Sequence, residues 1–267
     1  MTATNVAPRL TPCPTAVSGV KAGDLRMELL ETVRQARCTI LKAQEEGRVG
    51  VAIRRSICVS PFELWEELKK RVETCRRCPL GNHRLRAVFG TGSPNAQVMW
   101  VGEGPGYEED HRGEPFVGKA GQLLDAILAS IGLDRRKVYI TNVVKCHPMV
   151  DSSDPEKRGN DRPPTPEEME ICRGYLENQC RMIRPKVLVT LGAVATRALL
   201  KTSEGITSLR GKWRQWSVPD SGGWSARILP TYHPAALLRN PSLKKDVWQD
   251  MKNLKKEMET WQSNGGG

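Results

Sequence analysis

Three short stretches hold side chains suited to chemistry on a polar ligand. Gly102-Glu-Gly-Pro-Gly106 runs into Tyr107-Glu-Glu-Asp110, Asn142 closes one apolar run, and Tyr232-His233-Pro234 closes another. A carboxylate, an amide and an imidazole are the groups that hold a water, read a polar edge and stabilise a leaving anion. Glycines at 102, 104 and 106 let backbone N–H groups approach such a ligand closely. The segment is not a P-loop, because no Gly-Lys-Ser/Thr follows, and it is not Gly-x-Gly-x-x-Gly, so no nucleotide cofactor is expected. Each feature alone has an ordinary explanation. A loop glycine is usually a turn, a lone histidine is usually a satisfied structural residue, and 108–110 reads as a solvated acidic turn, the reading preferred for Glu108.

The cysteines offer a second chemistry. Cys75 and Cys78 form a Cys-x-x-Cys pair, with Cys146 and Cys172 further along. A close pair plus two distant cysteines suits a four-thiolate site. Spacing does not separate zinc from iron–sulfur, simple burial is the lesser alternative for Cys146 and Cys172, and Cys180 rivals Cys172. Cys13, Cys38, Cys58 and Cys180 otherwise read as ordinary small residues.

The elements that must position these groups follow a regular order. Apolar runs at 97–101, 138–141, 186–191 and 226–230 read as strands, and 122–131, 166–183, 193–200 and 243–261 read as helices. Gly102, Asn142, Gly192 and Tyr232-His233 therefore stand just beyond successive strands. The alternation predicts an α/β fold, a three-layer α/β/α sandwich around a central four-stranded, mostly parallel sheet, with an N-terminal helical extension. In such sheets ligands bind beyond the carboxyl ends of the strands, so the reactive groups converge on one edge. Ser60 with Glu63, and Thr165 with Glu168, each form a capping box that opens a helix. The polar stretch 202–225 reads as a hairpin or an ordered loop. The chain divides into a partly disordered, partly helical extension over 1–65, a main domain over 66–262 and a flexible tail over 263–267; disorder is expected at 1–23 and a helix at 24–48.

With 41 Lys and Arg against 30 Asp and Glu, the net charge of +11 favours a polyanion such as DNA or RNA as partner. Aromatic residues are only 5% of the chain, which argues against binding single strands through a long row of stacked rings. No apolar stretch approaches the roughly 20 residues that span a bilayer, and the N-terminus lacks the pattern of a secretory signal. A cytoplasmic monomer is expected, its cysteines reduced.

From about 66 to 260 the chain resembles the family 4 uracil-DNA glycosylases, the iron–sulfur branch of the uracil-DNA glycosylase superfamily. The resemblance is carried by Cys75-Arg-Arg-Cys-Pro-Leu80, by Gly102 through Asp110, by Gly113-Glu-Pro-Phe-Val-Gly-Lys-Ala-Gly-Gln-Leu-Leu124, by Tyr139-Ile-Thr-Asn-Val-Val-Lys-Cys146 and by Leu229-Pro-Thr-Tyr-His-Pro-Ala-Ala-Leu-Leu-Arg239. It implies a base-excision-repair enzyme that hydrolyses the N-glycosidic bond of deoxyuridine in DNA, releasing uracil. It also implies a [4Fe–4S] cluster on Cys75, Cys78, Cys146 and Cys172.

Under that resemblance Phe116 stacks on a uracil flipped out of the DNA, and Asn142 accepts from N3–H and donates to O4. Cytosine presents the reverse pattern there. His233, with backbone N–H groups near Gly104, stabilises the departing uracil anion. Glu103 holds the attacking water, and Glu109 is a second catalytic candidate near the base. Leu237 is either a wedge into the duplex or core, and Arg239 is a phosphate contact. Lys119, Lys145, Arg210 and Lys212 are further phosphate candidates.

Two regions depart from the family. Residues 1–65 lie outside the match and read as a candidate docking arm for a protein partner. The segment between Cys146 and Cys172 is longer than usual, with 151–162 as the insert. A sister group that traps DNA covalently carries a basic loop with a reactive histidine here. Lys157-Arg158-Gly159 is basic, but no histidine lies between His147 and His233, so turnover is expected. Two rivals remain at this point: a non-catalytic iron–sulfur or zinc nucleic-acid-binding module, and a zinc hydrolase, which four thiolates would leave without an open metal position.

Overall fold

The computed structural model describes residues 60–219 and 221–263. The expected disorder at 1–23, the helix at 24–48 and nearly all of the expected tail lie outside the described residues. The chain divides after Cys58, and the described residues belong to the unit Val59–Gly267.

The sheet has six strands rather than four, in the order β1-β3-β2-β4-β6-β5. The four expected strands are its centre: β2 (Val98–Gly102), β3 (Tyr139–Asn142), β4 (Val187–Leu191) and β6 (Ala226–Thr231), all parallel to their neighbours in this set. The additions are antiparallel edges, β1 (Thr91–Gly92) on β3 and β5 (Arg214–Trp216) on β6. Two or three residues at a half-solvated edge carry no apolar run, which is why pattern alone misses them. The 202–225 stretch thus includes one arm of a hairpin.

Alternation along β2 explains the two faces of the sheet. Met99 and Val101 join a core with Leu68, Val72, Tyr175, Leu176, Ala195 and Leu199, while Val98 and Trp100 join a second core with Leu124, Leu128, Val247, Met251 and Leu254. The first core is covered by α1 (Pro61–Glu73), α5 (Pro166–Ile183) and α6 (Gly192–Leu200). The second is covered by α4 (Lys119–Ser130), α8 (Pro234–Arg239) and α9 (Lys244–Ser263). A strand buried on both faces reads as a continuous apolar run, as β2 does. Two short helices, α2 (Leu80–His83) and α3 (Tyr107–Arg112), and α7 (Ile206–Leu209) complete the set of named helices.

Three boundaries differ from expectation. The 65/66 division falls inside α1, because Trp65 packs edge-on against Phe89 and Tyr139 at centroid distances of 5.1 and 5.4 Å, and Leu68 and Val72 are buried. Helix α4 starts at Lys119, three residues early. The acidic turn 108–110 is helical: α3 ends at Gly113, whose φ of 78° supplies the left-handed C-cap. Both capping boxes form as expected. No helix among the described residues is long and apolar enough to cross a membrane.

The register sets the site. Gly102 pairs with Asn142, and Leu191 pairs with Thr231, so the loops after β2 and β3 are neighbours and Gly192 meets Tyr232-His233. Gly121, in α4, packs against the backbone of Phe116 so closely that a Cβ would collide with its carbonyl. Gly121→Ala should therefore destabilise the fold by about 1–3 kcal/mol or more. Gly174→Ala, inside α5 with open space around it, should stabilise by about 0.5–1 kcal/mol. Urea denaturation of the two variants checks the pair.

Candidate active site

The carboxyl ends of β2 and β3 form one wall. Asn142 is 1% exposed, and its Oδ1 has no hydrogen-bond partner. A buried carbonyl left unpaired costs roughly 1–3 kcal/mol, so this oxygen is a free acceptor at the wall. A Cβ on Gly102 would overlap this oxygen and lie 2.5 Å from Phe116 Cζ. Only glycine lets the amide and the ring share this space. Val143 N donates to Gly102 O at 2.9 Å and Val144 N to Glu103 O at 3.2 Å, which knits the two loops together. Gly104 is tight for a related reason, since a Cβ there would stand 2.8 Å from Val144 Cγ2. Between them the Glu103 carboxylate is half-buried, and burial raises its pKa above the ordinary 4.5.

Phe116 is held by its backbone. Its φ is 55°, a left-handed conformation that a bulky residue adopts only when its surroundings impose it. Arg135 donates to the carbonyls of Pro115, at 3.0 Å, and Phe116. Glu109 Oε1 accepts from Val117 N at 2.8 Å and Gly118 N at 3.0 Å, and its Oε2 accepts from Gly106 N at 3.2 Å. Both oxygens of Glu109 are thus engaged by three backbone N–H groups. Its geometry is that of a positioning residue, tying the glycine loop to the Phe116 loop, and not that of the second catalytic carboxylate expected from sequence.

His233 faces this wall from the far side, its ring centroid 5.6 Å from that of Phe116. It caps α8, and Nδ1 accepts from Ala235 N at 3.1 Å. That bond requires a bare Nδ1, so the proton of the neutral ring sits on Nε2. Burial, followed by the charge of Arg239, pushes its pKa down to about 4. Gly192, at φ 88°, makes room for it: a Cβ there would lie 2.9 Å from His233 Cβ. Beneath, Thr231 Oγ1 donates to Asp250 Oδ2 at 2.7 Å, and Arg210 binds the same buried carboxylate at 2.6 and 3.1 Å.

The basic candidates separate accordingly. Arg210 is committed to Asp250. Lys145 is 1% exposed and donates to Thr141 Oγ1, Asn142 O and Gln179 Oε1 at 2.6, 2.7 and 2.8 Å. Both side chains are held inward by these partners; the loop position of Lys145 hid its inward turn. Lys119, Lys212 and Arg239 are exposed. Leu237 is 2% exposed and belongs to the core, whereas Leu238 is 48% exposed beside Arg239. Gly102, Arg135 and Gly192 are site residues that sequence reasoning did not assign to these contacts.

Cys75, Cys78, Cys146 and Cys172 line one small cavity. All four are free thiols. Cys180 is not in this wall; its Sγ lies 3.8 Å from Met99 Sδ. Gly81 closes the cavity where a Cβ would stand 2.6 Å from Cys75 O, and Arg84 Nη1 donates to Cys146 Sγ at 2.8 Å. Burial pushes the Cys146 thiol up to about 12 and Cys172 to about 11. No three His, Cys, Asp or Glu side chains among the described residues are gathered to hold a single metal ion.

Residues 89–252 match the family pattern described as the uracil DNA glycosylase superfamily. A type-4 uracil-DNA glycosylase of Archaeoglobus fulgidus is 41% identical over 195 residues, covering 72% of this chain and 92% of the relative. One from Thermotoga maritima is 41% identical over 196 residues, covering 72% and 94%. A type-5 uracil-DNA glycosylase of Pyrobaculum aerophilum is 30% identical over 209 residues, covering 67% and 85%.

The His233 geometry makes a spectroscopic prediction. Nitrogen NMR should find its ring neutral and protonated on Nε2 at pH 6, charging only as pH nears 4. The unfolded chain takes up this proton near 6.5, so its contribution to stability is present above 6.5 and lost as pH falls through about 4.

Proposed function

The chain belongs to the type-4 uracil-DNA glycosylases of the uracil-DNA glycosylase superfamily, and from that membership we propose how its own residues perform the reaction. It is a DNA-repair hydrolase that cleaves the N-glycosidic bond of deoxyuridine in DNA, releasing uracil and leaving an abasic site. The +11 charge suits the polyanionic substrate.

The target base must leave the stack to be reached, at a cost of a few kcal/mol. Phe116 offers its ring face to the extruded uracil. The amide of Asn142 accepts from N3–H and donates to O4, and its unpaired Oδ1, facing the same space as Phe116, is the observation that carries this reading. Cytosine would set an acceptor against that oxygen and leave it unpaired, a mismatch that discriminates strongly in a buried site. As the bond breaks, negative charge grows on uracil O2. The Nε2–H of a neutral His233 donates to it, aided by backbone N–H groups at Gly104. Glu103, as carboxylate, orients the attacking water and favours the cationic sugar. Glu109 acts through Gly106, Val117 and Gly118 rather than on the substrate. At α8 the exposed Leu238 and Arg239 are the pair offered to a duplex, an apolar wedge with a basic neighbour.

We assign a [4Fe–4S] cluster to Cys75, Cys78, Cys146 and Cys172. The four thiols meet round one cavity, which suits a four-thiolate ligand set, and the type-4 membership favours iron–sulfur over zinc. When bound, the cluster would act as a structural tie between the α1–α2 loop, the loop after β3 and α5. Its charge would oppose the upward push that burial gives the Cys146 and Cys172 thiols. Free thiols suit a reducing compartment, and we propose the cytoplasm.

A single-uracil oligonucleotide treated with the protein and then alkali should be cut at the uracil. Glu103→Gln and His233→Ala should each lower kcat about 10²–10³-fold; full activity in both would show that other residues carry the chemistry, whereas no cleavage by the wild type would favour a non-catalytic binding module. The acid limb of kcat/KM should follow the raised pKa of Glu103, activity falling as pH drops through it, and should flatten in Glu103→Gln. The purified protein should be brown, and Cys75→Ala should lose the broad visible absorbance with its iron; a colourless, iron-free wild type prepared anaerobically with iron supplied would remove the cluster.

A further inference from the structure

We propose that the insert at 151–162 is a strut for the base pocket, with Asp161 as the positioning residue. This deepens the pocket reading above and rests on it. Asp161 Oδ1 lies 2.6 Å from His147 Nε2, and its carboxylate also accepts the backbone N–H of Tyr107, the first residue of α3. The His147 side chain is fully buried and faces Asp110 of α3 on its other edge, at 3.6 Å. Asp110 in turn holds Leu85 N and Arg86 N at 3.1 Å. Two carboxylates from separate segments thus flank one imidazole beneath α3, with the Asp161 side hydrogen-bonded.

The outer part of the insert grips the same helix. Arg158 pairs with Glu108 at 2.7 Å and lies over the Tyr107 ring at 4.5 Å, and Glu156 pairs with His111 at 2.9 Å. Exposed pairs of this kind are individually weak, but here they converge on six residues. The insert has an ordered neck: Asn160, 2% exposed, donates to Asp151 O and Asp154 O at 2.6 and 3.0 Å and accepts from Asp151 N at 2.8 Å. Arg162 ties its far end to Glu168 of α5.

A six-residue helix has too few internal bonds to hold itself, so what docks on α3 sets where it stands. Helix α3 carries Glu109, which holds the backbone at Gly106, Val117 and Gly118. The line therefore runs from Asp161 through α3 and Glu109 to Phe116 and the glycine loop that bears Glu103. Small misplacement of reacting groups costs rate steeply.

The test compares the full-length wild type, Asp161→Ala and Asp161→Asn in three measurements: inhibition by free uracil, the single-turnover rate of uracil release, and affinity for a duplex holding a reduced abasic site. Asp161→Ala should weaken uracil inhibition and slow release about tenfold each, with abasic-duplex affinity within about twofold of wild type. Asp161→Asn, which keeps an acceptor for Tyr107 N, should recover most of the loss. Uracil inhibition unchanged in Asp161→Ala would overturn the strut, and so would a parallel loss of duplex affinity. Should Asp161→Ala not fold, the surface double variant Glu156→Gln/Arg158→Ala replaces it, with a shift of about two- to threefold in the same direction expected and no shift overturning the proposal. Phe116→Ala separates the two readings. If it leaves uracil inhibition intact, the pocket itself is misassigned; if it abolishes inhibition while Asp161→Ala does not affect it, the strut alone fails.

Discussion

The site depends on one close approach. The side chains of Asn142 and Phe116 both press against the Cα of Gly102, at the point where β2 and β3 end in register. A single methyl at that position would push the amide or the ring out of place. Everything else in the pocket secures this contact from behind. Lys145 ties the Asn142 carbonyl from the buried side, Arg135 and Glu109 fix the Phe116 backbone in its left-handed conformation, and Gly121 lets α4 come up against the Phe116 carbonyl. The arrangement concentrates rigidity where a flat, polar base must be sandwiched and read at once.

Electrostatics are divided across this contact. On the β2 side burial lifts the Glu103 pKa above the ordinary carboxylate value. On the β6 side burial and Arg239 keep His233 neutral, and the Ala235 N–H fixes its tautomer. A carboxylate and a neutral donor on opposite sides of one space suit a reaction in which the sugar becomes cationic and the base anionic. The cations close by are engaged locally: Arg210 is paired with Asp250, and Lys145, its pKa lowered to about 8 by burial, donates to three neutral oxygen acceptors. Both are thus turned inward, whereas Lys119, Lys212 and Arg239 are exposed.

The loops between the strands act as couplers. The cysteine cavity joins the α1–α2 region to β3 and α5, on the face of the sheet opposite α4 and α9. The insert at 151–162 begins only a few residues beyond Cys146 and turns back to α3. The segment after β3 thus serves both regions: Asn142 in the pocket, Cys146 in the cavity and His147 beneath α3. That sharing explains why so many buried polar side chains cluster within a few residues of one strand end.

Much of this was legible in one dimension. The four inner strands, their order along the chain, the capping boxes at Ser60 and Thr165, and the placing of Glu103, Asn142 and His233 beyond strand ends follow from apolar runs and local hydrogen-bonding chemistry, which act over a few residues. What local pattern could not reach was direction and partnership. Two-residue edge strands have no run to detect. Lys145 and Arg210 have the composition of phosphate contacts until packing turns them inward. Glu109 looks catalytic until three N–H groups from two separate loops occupy it, and of two adjacent leucines only the orientation of α8 buries Leu237 and exposes Leu238. The sequence by itself determined which groups stand at the edge of the sheet, because strand period and capping are short-range. Only the tertiary structure decided which of them face the substrate, because a side chain's partners come from segments far apart in the chain and are chosen by close packing.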